Sequence, residues 1–272
     1  MRNPALFEVR GGTYHPTELA HGPWAVGFLH GGPVCGLAAH AAQSLRPDDG
    51  FAAARLTVDL HRPVPASPLE VEVREQRRSR RLALVGVSIR AGGTEVTRAS
   101  ALFVRRADAP EQPAAGRAAT PLYGPEGLET VSMIPREALE HIPPGFHREV
   151  EVRYVPTAAG APVATRSAWM RVPMSVVAGV TTNGFVRTAT LCDLGNAIAA
   201  MAPRPGSPRP ASYINPDTTL YLEREPEDEW IGLELERASE SGGIGLSHVA
   251  MRDSQGVFAH TLSARVWNPT ER

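Results

Sequence analysis

The chain has 272 residues, 42% of them hydrophobic and 21% charged, and a formal net charge of −1. That length buries one large core or two ordinary ones, and the charge balance leaves no electrostatic footprint for nucleic acid or an anionic membrane surface. Lys and Arg together number 28 and every one is Arg, which excludes Schiff-base chemistry through lysine. Cys35 and Cys192 are the only cysteines, without metal-ligand spacing or a disulfide framework. With no N-terminal apolar leader and no uninterrupted apolar stretch of membrane-spanning length, a cytoplasmic location is expected.

In chain order, residues 1–29 carry Gly11-Gly12, Pro16 and His21-Gly22-Pro23-Trp24, which predicts a short strand and a loop leading into a helix. Val34, Leu37, Ala38, Ala41 and Leu45 are spaced for a helix over 32–45, stopped by Pro47. Its glycine and alanine content suits a backbone that a sheet wraps closely. Strands are predicted at 55–61, 69–76, 82–90 and 95–105, separated by proline-rich or glycine-containing turns. Residues 107–130 are rich in Pro, Ala and Gly without periodicity and read as linker. A second lead-in spans about 148–187, with alternation in EVEVRYV and SAWMRVPM. A short helix is predicted over 193–201, ended by Pro203, and strands follow at 217–223, 231–238, 244–252 and 257–267.

The second set of strands repeats the first. Shifting the sequence by 162 positions lays 57–104 over 219–266 without a gap, and Thr57/Thr219, Leu60/Leu222, Arg62/Arg224, Glu72/Glu234 and Val87/Val249 are among nine identities in 48 positions. The apolar pattern repeats as well. In the third strand of each copy the apolar set runs Leu82, Leu84, Val87, Ile89 and Ile244, Leu246, Val249, Met251, a one-residue slip that predicts a β-bulge there in both. Two units are expected, at 1–106 and 148–272, with the linker at 107–147 and a functional site between them.

A small-residue helix followed by four antiparallel strands, repeated once, resembles the hotdog architecture, in which a curved sheet wraps a central helix. His30-Gly31-Gly32-Pro33 with TVDLHRPV, and LCDLGNA with INPDTTLYL, resemble the two halves of acyl-CoA thioesterase II (TesB-like) proteins, specifically the actinobacterial thioesterase-like branch. The resemblance implies an α+β tandem (double) hotdog that hydrolyses an acyl-CoA thioester with water and no cofactor, as a monomeric pseudo-dimer or a homo-oligomer. It also implies a site. Asp193 matches the family's water-orienting Asp at the start of the second helix, and Asn215 matches the following Thr or Asn. The third position, a Gln in the family, falls at Leu262 or Ser263, so a Ser263 or Thr261 hydroxyl would replace one of its hydrogen bonds. Gly31 and Gly32 match the opposing helix N-terminus, whose N–H groups face the thioester oxygen. At a helix N-terminus Asp193 is favoured as the carboxylate.

Each residue also has an ordinary use. Asp caps helices, Asn-Pro makes turns, and Gly-Gly permits a tight turn. His30 reads as a cap or packing group as readily as a base, and neither His61 nor His248 belongs to a motif. Cys192 beside Asp193 is disfavoured as a thiolate. The run REQRRSRR (74–81) reads as a solvated hairpin, with CoA phosphate contact as the other use. A hydratase or dehydratase would require a well-placed His paired with an Asp, and no such pair is found at the expected place. A non-catalytic acyl-CoA or acyl-carrier binding protein that keeps the groove without the Gln is the alternative to the enzyme; turnover separates the two.

Overall fold

The computed structural model describes residues 4–23, 26–108, 124–134, 140–156, 167–201 and 213–268. The first half contains β1 (Ala5–Arg10), β2 (Thr13–Pro16), α1 (Gly31–Ala42), β3 (Phe51–Asp59), β4 (Leu69–Arg78), β5 (Leu82–Ala91) and β6 (Thr94–Arg105). After it come β7 (Val131–Ser132), α2 (Phe146–Glu149), β8 (Glu151–Tyr154), β9 (Ser167–Arg171), β10 (Ser175–Val177), α3 (Gly184–Cys192) and α4 (Gly195–Met201). Last are β11 (Tyr213–Ile214), β12 (Asp217–Leu222), β13 (Ile231–Ser241), β14 (Ile244–Asp253) and β15 (Gly256–Trp267). Of the region read as linker, 109–123 and 135–139 lie outside the described residues. No helix among the described residues is long and apolar enough to cross a membrane.

One sheet runs through the molecule in the order β10-β1-β2-β4-β5-β6-β3-β12-β15-β14-β13-β9-β8-β7, with β11 also on β15. β3 pairs antiparallel with β12 and so joins the strands of the first part of the chain to those of the last. Thr57 faces Thr219, and the two hydroxyls lie 3.2 Å apart. Residues 162 apart in sequence thus meet across a local twofold. A second seam is the parallel pairing of β1 with β10, Ala5 opposite Ser175.

Burial along the third strands shows which face is inner, and here one expectation is corrected. In β5 the buried residues are Ala83, Val85, Val87 and Ile89. In β14 burial likewise alternates through Gly245, Ser247 and Val249, after which every residue to Asp253 is buried, so Leu84 and Leu246 are not on the inner face. Leu82, Leu84, Ile244 and Leu246 belong to the outer face, which sequence periodicity does not distinguish from the inner one. A bulge common to both halves does exist, one strand over. The register shifts after Ile89 and after Met251 leave Val96 in β6 and Phe258 in β15 as the extra residues, again 162 apart.

α1 is buried along almost its whole length, as its Gly/Ala content predicts. It packs on α3, and the close approach depends on glycine. A Cβ at Gly32 would sit 2.6 Å from the Thr190 carbonyl oxygen, and one at Gly36 would strike the Thr190 hydroxyl. α3 itself was not predicted. The helix expected over 193–201 is α4, which begins at Gly195, and α3 precedes it from Gly184, capped by the Asn183 side chain accepting from Val186 N at 3.0 Å. Thr188 and Thr190 lower its helix propensity, but their hydroxyls donate to the carbonyls of Gly184 and Val186 within the helix.

Candidate active site

Asp193 occupies the C-cap of α3, two residues before α4 begins. The helix expected to open at Asp193 is α4, and what was not expected is that Asp193 also ends α3. The polypeptide turns at Asp193-Leu194 between two helical pieces, so the C-terminal end of α3 alone would disfavour a carboxylate. The compensating dipole comes from the other half of the molecule. The N-terminus of α1 meets Asp193 so closely that a Cβ on Gly31 would lie 2.6 Å from Oδ1 and 2.8 Å from Oδ2.

Two side chains hold the carboxylate. Asn215 Nδ2 donates to Oδ1 at 2.6 Å, and His30 Nδ1 lies 3.2 Å from Oδ2. His30 is the N-cap of α1, so its imidazole is delivered by the first half and the carboxylate by the second. Nδ1 is also 3.1 Å from Gly32 N, and one nitrogen cannot both accept there and donate to Asp193. A lone pair set against a buried carboxylate is repulsive, so the proton belongs on Nδ1, pointing at Asp193. Nε2 is then the basic nitrogen. Burial alone would push the Asp193 carboxyl up, but the hydrogen bond and charge of His30, the Asn215 amide and the Gly32 N–H outweigh it and hold the carboxyl below its ordinary range. His30 and Asp193 are each only 5% exposed, which raises the strength of every interaction within the pair.

Asn215 is placed by its neighbours. Tyr213 and Ile214 pair with Trp267 and Val266 of β15, and Pro216 carbonyl accepts from Leu60 N at 2.7 Å. Asp217 Oδ1 accepts from Ala264 N at 2.9 Å. Asn196 at the start of α4 donates to Tyr213 carbonyl at 3.2 Å and accepts from the fully buried Arg265 at 2.7 Å. Arg265 also pairs with Glu240 at 2.6 Å.

Of the residues singled out in the sequence, the structure brings together Asp193, Asn215, Gly31 and Gly32. Ser263 faces inward and Leu262 outward, which resolves the register of the last strand, but Ser263 donates to Thr218 at 3.0 Å within a buried Thr218–Thr261–Ser263 hydroxyl cluster. The His–Asp pair that sequence reading did not find is present as His30 and Asp193, 163 positions apart. A further histidine adjoins it. Phe146 packs on His30 with ring centroids 5.1 Å apart, and the next residue, His147, donates from Nε2 to Pro143 carbonyl at 3.0 Å. Burial, followed by the charge of His30, lowers His147 to about 4, so it is neutral at neutral pH. Cys35 and Cys192 are fully buried. The hydrogen bond with Cys192, burial and the nearby Asp193 charge raise the Cys35 thiol well above its ordinary range, so it is no nucleophile. The arginines of 74–81 lie on the exposed β4–β5 hairpin.

The profile of the acyl-CoA thioesterase N-terminal domain matches residues 20–104, and that of the acyl-CoA thioesterase C-terminal domain matches residues 125–262. No curated protein matches the chain significantly. Among solved structures, a hot dog fold protein of unknown function from Alicyclobacillus acidocaldarius superimposes with a TM-score of 0.71 at 19% identity, covering 97% of this chain and 96% of its own. The tesB protein of Mycobacterium avium subs paratuberculosis gives 0.68 at 18%, with 97% and 96% covered. The acyl-CoA thioesterase II TesB2 of Mycobacterium marinum gives 0.66 at 17%, with 97% and 94% covered. At these identities the likeness establishes the hotdog fold.

Proposed function

Since the chain belongs to the acyl-CoA thioesterase family, we propose that it hydrolyses an acyl-CoA thioester to free acid and CoA, with His30 and Asp193 activating the water. The observation that carries this reading is the buried carboxylate of Asp193 held between His30 and Asn215. In the reaction, His30 Nε2 takes a proton from water as it attacks the thioester carbon, and Asp193 stabilises the imidazolium. The oxyanion that forms is met by the N-terminal N–H of α1 at Gly31, the Gly32 N–H being held by Asp193. Collapse breaks the C–S bond, and the CoA thiolate leaves with the proton from His30. Asn215 fixes the carboxylate, and Ser263, through Thr218, holds β12 in register beside it. No cofactor enters any step.

We also read the chain as a tandem hotdog, with units at 1–106 and 148–272. The 162-residue equivalences at Thr57/Thr219 and at the Val96/Phe258 bulges support it, as does a site that draws one partner from each half. Such a pseudo-dimer is complete as a monomer.

A His–Asp pair also supports a second reading, addition or removal of water at a 2-enoyl or 3-hydroxyacyl thioester. One experiment separates the readings: thiol release from acyl-CoAs of short to long chain, with 2-enoyl-CoA consumption followed in parallel. Thiol release on at least one chain length, without change in enoyl absorbance, is expected. Enoyl consumption without thiol release would transfer the site to the second reading, and saturable binding without either would make it a receptor.

A further inference from the structure

Glu236, His248 and His260 come from three successive strands, β13, β14 and β15, and meet on one face of the sheet. Their neighbours Val249 and Thr261 point the other way, toward Gly195 at the start of α4, so the cluster lies on the face opposite Asp193. The register explains how the three converge. His248 faces Leu262 while His260 faces Ala250, which makes the two rings diagonal neighbours on adjacent strands. Glu236 is the extra residue of the bulge between Leu235 and Arg237, and a bulge turns its side chain out of the regular ladder.

The donor atoms are already close. His248 Nε2 and His260 Nδ1 are 3.1 Å apart, His248 Nδ1 and Glu236 Oε2 are 3.1 Å apart, and His260 Nδ1 and Glu236 Oε2 are 4.0 Å apart. One donor atom from each residue lies within 4.8 Å of both others. Metal–ligand bonds of about 2.0–2.2 Å at tetrahedral angles place donors roughly 3.4 Å apart. The two imidazoles therefore stand at nearly the required spacing, and the carboxylate, on a flexible and exposed side chain, closes the rest by rotation. Without a metal the same groups form a hydrogen-bond relay from His260 to His248 to Glu236, which holds both rings in place.

We propose that Glu236, His248 and His260 form a binding site for a zinc-class divalent cation on the outer face of the C-terminal sheet. Two imidazoles and one carboxylate are a donor set for zinc, and they leave a fourth position to water. All three side chains are reachable, with exposures of 43%, 29% and 35% for Glu236, His248 and His260, so a cation enters from solvent without any opening of the fold. Bound there, it ties β13, β14 and β15 together and stabilises the second half of the molecule.

The full chain, stripped with chelator, is titrated with zinc(II) against a chromophoric chelator, and with cobalt(II) to read the ligand field. One equivalent of zinc is expected to bind with a Kd below about 10 μM and to raise the melting temperature by roughly 5 °C at saturation. Cobalt is expected to give the visible bands of a four- or five-coordinate nitrogen–oxygen site, which identifies the ligands in the unmutated chain. His248→Ala and His260→Ala each weaken binding by about 100-fold and Glu236→Gln by about tenfold, while Asp193→Asn binds as the wild type does. Less than one equivalent bound, a Kd above about 0.1 mM, an all-water cobalt spectrum, or binding that survives the His248→Ala/His260→Ala double variant would each overturn the proposal.

Discussion

Asp193→Asn is expected to lower kcat for acyl-CoA hydrolysis by about 10²–10⁴-fold while the protein still folds. Asn retains the size of Asp193, so the packing of α1 against α3 survives. The charge that stabilises an imidazolium at His30 is gone, and the amide presents either a donor or a neutral acceptor to Nδ1. The native carboxyl is held below its ordinary range by His30, Asn215 and Gly32 against the opposing effect of burial. Its contribution to stability is therefore complete above the ordinary carboxylate pKa and is lost as pH falls through the depressed folded value. Thiol-release kinetics and a thermal melt on the same sample separate the two effects: a loss of rate with an intact melt supports a catalytic role, and wild-type rates would remove Asp193 from the mechanism.

Adding a methyl group to each of two adjacent glycines is expected to act on different properties. In Gly31→Ala the new Cβ lies 2.6 Å from Asp193 Oδ1, and the carboxylate must leave its bonds to His30 and Asn215 to make room. Turnover is expected to fall by roughly 10²-fold, since a displacement of about 1 Å at reacting groups costs that much. In Gly32→Ala the Cβ meets the Thr190 backbone carbonyl at 2.6 Å and the Phe146 ring at 2.8 Å, and a backbone cannot swing aside. Here α1 and α3 must separate, at a cost of about 1–3 kcal/mol. Denaturant melts check the order: Gly32→Ala is the less stable variant, and a Gly32→Ala protein as stable as the wild type would refute the close helix contact.

Much of this was legible in the residues, and what was not has physical reasons. The strands at 69–78, 82–91 and 94–105 and their counterparts after 217 follow from alternation and turn glycines, and their bounds agree with the expected ones within a few residues. Alternation alone cannot tell which face is inner when both carry leucine, as in β5, so the bulge was placed on the wrong strand. α3 was hidden by Val186, Thr188 and Thr190, residues that favour strands, although Asn183 offered a capping signal. Asp193 and Asn215 were accessible through short motifs. The pairing of His30 with Asp193 was not, because nothing local links positions that only the β3–β12 seam and the α1–α3 packing bring together. Glu236 carries its significance through a bulge, which a period-two pattern does not announce.

In the proposed reaction a histidine from one half and a carboxylate from the other act as one catalytic unit. The direct measurement is kcat for thiol release by wild type, His30→Gln, Asp193→Asn and the double variant. Groups that work as a unit are strongly non-additive, so each single variant is expected to lose about 10²-fold or more and the double variant to be no more than a few-fold worse than either. Losses that multiply in the double variant, or a His30→Gln enzyme that turns over like the wild type, would contradict the pairing of the two residues in the reaction.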